Sequence, residues 1–124
     1  MSNSAAQAYA RVASTTASPR ANEAQALLMA ANKLQEVVSN DNMPEERIKH
    51  ALMFNRKLWT LFLSDVLNEE NPQPLPQDVR QKIVNIAMFV LTHTMALLVS
   101  PQRDHFAPLI NINRNIAAGL SGRA

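Results

Sequence analysis

Hydrophobic positions recur at helical spacing along most of the chain. After Ser18-Pro19, a pair suited to the cap and first position of a helix, Ala24, Leu27, Ala31, Leu34 and Val38 follow at steps of three and four. Ser39-Asn40-Asp41-Asn42 ends this helix, because short polar side chains compete for backbone hydrogen bonds. Pro44-Glu45-Glu46 opens a second helix and places acids near its positive end. Its stripe is Ile48, Leu52, Asn55, Trp59, Phe62 and Val66. Ala51, Phe54, Leu58 and Leu61 widen the apolar arc to roughly 200°, enough to meet two neighbours. Asn68-Glu69-Glu70-Asn71 with Pro72, Pro74 and Pro76 then forms a stiff connector.

A third helix is expected from about Gln77 to Val99. The segment is rich in β-branched residues, but it is too long for an ordinary strand without a turn signal. Val79, Ile83, Ile86, Val90, Thr94 and Leu97 form its core stripe. Val84, Met88, Leu91, Met95 and Val99 lie to one side of that stripe as surplus apolar surface. Phe89 falls instead among the polar Asp78, Lys82, Asn85 and Thr92. Ser100-Pro101 stops the helix, and a loop with Arg103, Asp104 and His105 follows. Pro108 opens a last short helix with Leu109, Ile112, Ile116 and Leu120 on one face, and Gly119 and Gly122 end it. At the other end, Ala5, Ala8, Tyr9 and Val12 share helical spacing, so residues 1–18 are expected to be a short helix or flexible. The pattern predicts an all-α protein: a small antiparallel helical bundle with three to four main helices plus a short N-terminal helix, in one domain over 1–124.

Composition narrows the chemistry. With 124 residues there is room for one core. Two glycines and 5% aromatics disfavour an all-β fold. The absence of cysteine excludes a disulfide framework and a thiolate site. The net charge is +2 and the basic residues are scattered, Arg56-Lys57 being the only adjacent pair, so direct nucleic-acid binding is disfavoured. His50, His93 and His105 lack the i, i+4 spacing of a helical metal site, and no glycine-rich phosphate loop is present. Asp104-His105 lacks a third partner, so no catalytic residue, metal or cofactor is expected and the protein is read as not an enzyme. Residues 83–99 contain Asn85, Thr92, His93 and Thr94 and fall short of the ~20 apolar residues of a membrane span. The first 18 residues lack the apolar run of a secretory signal, so the expected location is the cytoplasm.

Two features remain. Asn55 sits mid-stripe between Leu52 and Trp59, where it must find hydrogen-bond partners inside the core. The surplus face of the third helix is either covered by another helix of the chain, used for self-association, or a groove for a partner helix, a use that methionines suit. Phe89 is a separate candidate anchor.

The block Phe54-Asn55-Arg56-Lys57-Leu58-Trp59, together with Pro108-Leu109-Ile110-Asn111-Ile112-Asn113-Arg114 and the closing Gly119-Leu120, resembles the FlaF family of flagellar biosynthesis regulators. Ala8-Tyr9, Ser18-Pro19-Arg20 and Glu23 fit the same pattern, as does the proline-bearing connector leading into residues 83–98. The similarity runs from about Ala8 to Leu120. It departs at Asn111, where many members carry an acidic residue.

The resemblance implies a small cytoplasmic helical protein that acts in flagellin synthesis and export beside the companion regulator FlbT, without catalytic residues or cofactor. It makes Asn55, Arg56, Trp59, Asn113 and Arg114 family-motif positions of structural role, with Trp59 expected in the core and both arginines at helix edges. The expected function is flagellin binding by Val84, Met88, Phe89, Leu91, Met95 and Val99, helix in groove. The alternative is an adaptor that binds FlbT and acts on flagellin messenger translation indirectly.

Overall fold

The computed structural model describes residues 19–72 and 74–122; the N-terminal helix expected around Ala8 and the cap expected at Ser18 lie outside them. Four helices follow one another: α1 (Pro19–Ser39), α2 (Glu45–Leu67), α3 (Gln77–Val99) and α4 (Ala107–Leu120), with a short 3-10 turn (Arg103–His105) before α4. No strand occurs among the described residues.

Each boundary has a local cause. After α1, Asn40 Oδ1 accepts from the Asn42 backbone N–H at 3.0 Å, the side-chain competition that stops the helix. α2 starts at Pro44, whose carbonyl accepts from the N–H of both Arg47 and Ile48, and Glu45 and Glu46 occupy its first turn. α3 starts the same way after Pro76. α4 closes where Gly122 takes a φ of 75°, a left-handed conformation that glycine adopts without a Cβ clash.

Neither α1 nor α2 has a basic residue in its last turn. Arginines from elsewhere supply the missing donors. Arg103 donates from Nε to the Val37 carbonyl at 3.0 Å and from Nη2 to the carbonyls of Asn40 and Asp41. Arg80 donates from Nε to the Val66 carbonyl at 3.1 Å. Each contact satisfies orphan carbonyls at a helix C-terminus and sets a positive charge against the negative dipole end. The same contacts fix direction: the start of α3 lies beside the end of α2, and the segment entering α4 lies beside the end of α1. The bundle therefore runs up, down, up, down.

α1 packs most extensively on α4, and α2 on α3 and then on α1, while α3 and α4 meet sparsely. Alanines at 24, 26, 30 and 31 of α1 are fully buried, and their small side chains let α4 and α2 approach closely. Around them Trp59, Phe62, Phe106, Leu27, Leu34, Leu52, Leu58 and Leu109 fill one continuous core. Trp59 meets Phe62 edge to face with centroids 5.3 Å apart.

Several expected stripes are rotated slightly. In α1 Val37 is buried and Val38 half-buried. In α2 Ile48 is half-buried and Leu61 is exposed, because the helix meets α1 and α3 but nothing beyond that side of the arc. In α3 Ala87 joins Ile83, Val90, Thr94 and Leu97 in the core, while Val79 and Ile86 are half-buried. The largest correction is α4. Its buried residues are Leu109, Ile110, Asn113 and Ala117, and Ile112, Ile116 and Leu120 are half-buried. The helix packs chiefly on α1, where Ile110 lies beside Gln35 and Val38, and Ile112 and Ile116 stay at the edge of the core.

α3 also differs from the expectation in its membrane character. By length and composition, with a hydropathy of 1.7 over its most apolar window, it is long and apolar enough to cross a bilayer. The helix is 23 residues long, and its many Ile, Val, Leu and Met outweigh Asn85, Thr92, His93 and Thr94 in the mean. The same composition serves the core helix of a soluble protein, and here Ile83, Val90 and Leu97 pack into the bundle.

Candidate partner-binding surface

A polar cluster at the centre of the bundle sets the register of the helices that carry the surface. Asn55 of α2, fully buried, donates from Nδ2 to Thr94 Oγ1 of α3 at 3.4 Å. Its Oδ1 accepts from Asn113 Nδ2 of α4 at 2.7 Å. Asn113 Oδ1 in turn accepts from Trp59 Nε1 at 2.8 Å. The cluster ties three helices together at one level, and each member is satisfied by another, as buried amides require. Asn55 thus finds the partners its core position demands, and Asn113 stands at the centre of the buried face of α4. Arg56 and Arg114, the flanking motif residues, are exposed. Asn111 is exposed as well.

With Asn55 and Thr94 paired, the two flanks of α3 point in different directions. On one flank Met88, Met95 and Val99 are 56%, 44% and 85% exposed, and Val84 and Leu91 between them are half-buried. Spacings of three, four and seven place these five on one contiguous strip. Only 28% of the most apolar window of α3 is buried, so the surplus is real surface and is not covered by α1 or α4. Phe89 lies on the opposite flank. It is about half exposed and stacks on His93 with centroids 5.3 Å apart and ring planes 18° apart. His93 Nε2 donates to the His105 carbonyl at 2.8 Å, so this flank is tied to the turn before α4. The structure therefore gathers Val84, Met88, Leu91, Met95 and Val99 on one surface and sets Phe89 apart.

At the Val99 end of the strip, α2 adds residues that the helical pattern did not single out. A shallow groove between α2 and α3 is lined by Glu45, Ile48, Lys49 and Leu52 on one wall and Leu97, Leu98 and Val99 on the other. Continuing down α2 by whole turns from Lys49 leads to Met53, Arg56, Leu63 and Leu67, of which Met53 and Leu67 are exposed apolar residues. A periodicity argument on α2 alone assigns Lys49 to solvent; only the position of α3 shows that it borders Leu98 and Val99. Among the described residues no group of three His, Cys, Asp or Glu side chains is placed to hold a metal ion.

The model of the flagellar protein FlaF family matches residues 5–120. The chain belongs to the FlaF family. No curated protein and no solved structure gives a significant match. Within this member of the FlaF family, Asn55, Trp59 and Asn113 of the two sequence blocks meet in the interior, whereas Arg56 and Arg114 face water.

Proposed function

We propose that this FlaF protein acts in the cytoplasm as a non-enzymatic factor that binds flagellin and supports its synthesis and export. The binding surface is the strip formed by Val84, Met88, Leu91, Met95 and Val99. Family membership supports a flagellar role. The observation that carries the binding mode is the exposure of three large apolar side chains, Met88, Met95 and Val99, on one flank of a helix whose other side fills the core. Such a contiguous apolar face on a helical bundle suits an amphipathic helix laid along it. Flagellin carries long amphipathic terminal segments that associate when free, and a segment that folds as it binds is held with moderate affinity and released readily.

The test is co-expression with flagellin followed by size-exclusion chromatography. A one-to-one complex that is lost on changing Met88 and Met95 together to glutamate, with helical circular dichroism retained, supports the reading. An unchanged complex with the folded double variant refutes this face.

Phe89 supports a second reading. It forms an exposed apolar patch on the opposite flank, fit for a second partner such as FlbT. An adaptor of this kind forms a stable complex with FlbT that is lost when Phe89 is changed to serine, and makes weak or no contact with flagellin.

A further inference from the structure

The charges around the strip define the chemistry of what lies on it. Along α3 from Val84 to Val99 there is no charged residue at all. Along α2 from Lys49 to Ser64 there are three cations, Lys49, Arg56 and Lys57, and no carboxylate. All three are exposed, and among the described residues none has an ion-pair partner. Lys49 borders the groove beside Leu98 and Val99, and Arg56 lies two turns further down the same line of α2. Glu45, in the first turn of α2, lines the same groove one turn before Lys49, so the positive stretch begins at Lys49 and runs away from that end. Asp65 is half-buried and accepts from Asn71 Nδ2 at 3.5 Å.

We infer that the occupant of this surface is an amphipathic helix whose apolar face is flanked by carboxylates on the side that meets α2. The inference rests on the binding reading above for the identity of the surface and adds the charge of the partner. Residues 84–99 rise roughly 22 Å along α3, so the matching helix has about 15 residues, or four turns. Its apolar positions fill the spaces between Met88, Met95 and Val99, and its acids face Lys49 and Arg56. Charges at the rim of an apolar contact contribute mainly to selection and encounter rate, so the cations discriminate among amphipathic helices more than they bind.

A lipid surface is the weaker match. Two or three cations pull only weakly toward an anionic bilayer, and the strip carries no tryptophan or phenylalanine. The aromatic residue of α3, Phe89, is on the other flank, stacked on His93.

The experiment uses the full chain and two synthetic amphipathic peptides of about 18 residues with the same leucine face, one flanked by glutamates and one by lysines. Fluorescence anisotropy is measured at 0.1 M and 1 M NaCl, where the screening length drops from about 10 Å to about 3 Å. The expected result is binding of the glutamate peptide about tenfold tighter than the lysine peptide at low salt. The preference disappears at 1 M NaCl and inverts in the Lys49→Glu, Arg56→Glu variant. Equal binding of the two peptides, or a preference unaffected by that variant, overturns the inference. So does sedimentation with vesicles of neutral and anionic phospholipid that Met88→Glu abolishes, which assigns the face to a membrane. A concentration-dependent dimer abolished by Met88→Glu assigns it to a second copy and overturns it too. If the glutamate peptide is preferred but flagellin does not bind, the flagellin reading fails and the charge rule stands. If flagellin binds with no dependence on Lys49 and Arg56, the charge rule alone fails.

Discussion

Asn113 Nδ2 donates to Asn55 Oδ1 at 2.7 Å across the interior of the bundle, joining α4 to α2 although their backbones barely approach. The two amides belong to sequence blocks more than fifty residues apart, and the pair explains why both blocks carry an asparagine inside an apolar setting. Truncating one member leaves buried polar atoms without partners, which costs more than the bond itself contributes.

Asn113→Ala is therefore expected to be strongly destabilising. It orphans Trp59 Nε1 and Asn55 Oδ1 together, for a loss of about 3 kcal/mol and a fall in Tm of roughly 10 °C. Thermal unfolding followed at the tryptophan fluorescence reads this directly, since Trp59 is the only tryptophan of the chain. A loss below about 1 kcal/mol would show that water or a rotated Asn55 satisfies the orphaned groups.

Arg103 reaches three carbonyls at the end of α1 from a turn that precedes α4. Arg103→Ala is expected to lower stability by about 1–2 kcal/mol in urea unfolding. Arg103→Lys recovers little of it, because an ammonium lacks the planar fork that spans several carbonyls. Full recovery by lysine would mean that the charge, and not the fork, holds the helix end.

The strip on α3 makes the opposite prediction for stability. Met88→Glu and Met95→Glu place charges on positions already half in water, so each is expected to change unfolding free energy by less than about 0.5 kcal/mol. Leu34→Ala, at a fully buried position, is expected to cost about 2–5 kcal/mol in the same assay. A Met88→Glu protein that unfolds as readily as Leu34→Ala would mean that the strip is packed against the chain itself.

Helix periodicity made much of the bundle legible. Ser39-Asn40, Pro44, Pro76 and Ser100-Pro101 mark the helix ends because they act through local backbone chemistry. Asn55 announced itself as an amide in an apolar stripe. What periodicity could not supply is which neighbour each face meets. Thus periodicity does not fix the rotation of α4, since Ile112 and Ile116 are as apolar as Ile110 and only the packing on α1 decides between them. Arg80 and Arg103 could not be recognised as helix caps either, because their acceptors lie far along the chain. For the surface, the α3 strip was legible in outline. The contribution of Lys49 was not, because the groove it borders exists only once α2 and α3 are side by side.

The most direct test of the central claim is the composition of the species formed with flagellin, measured by size-exclusion chromatography with light scattering. The wild-type chain and the Met88→Glu, Met95→Glu variant are each co-expressed with flagellin. The account predicts a one-to-one complex for the wild type and separate, folded components for the variant. A complex of the same mass with both proteins would contradict it.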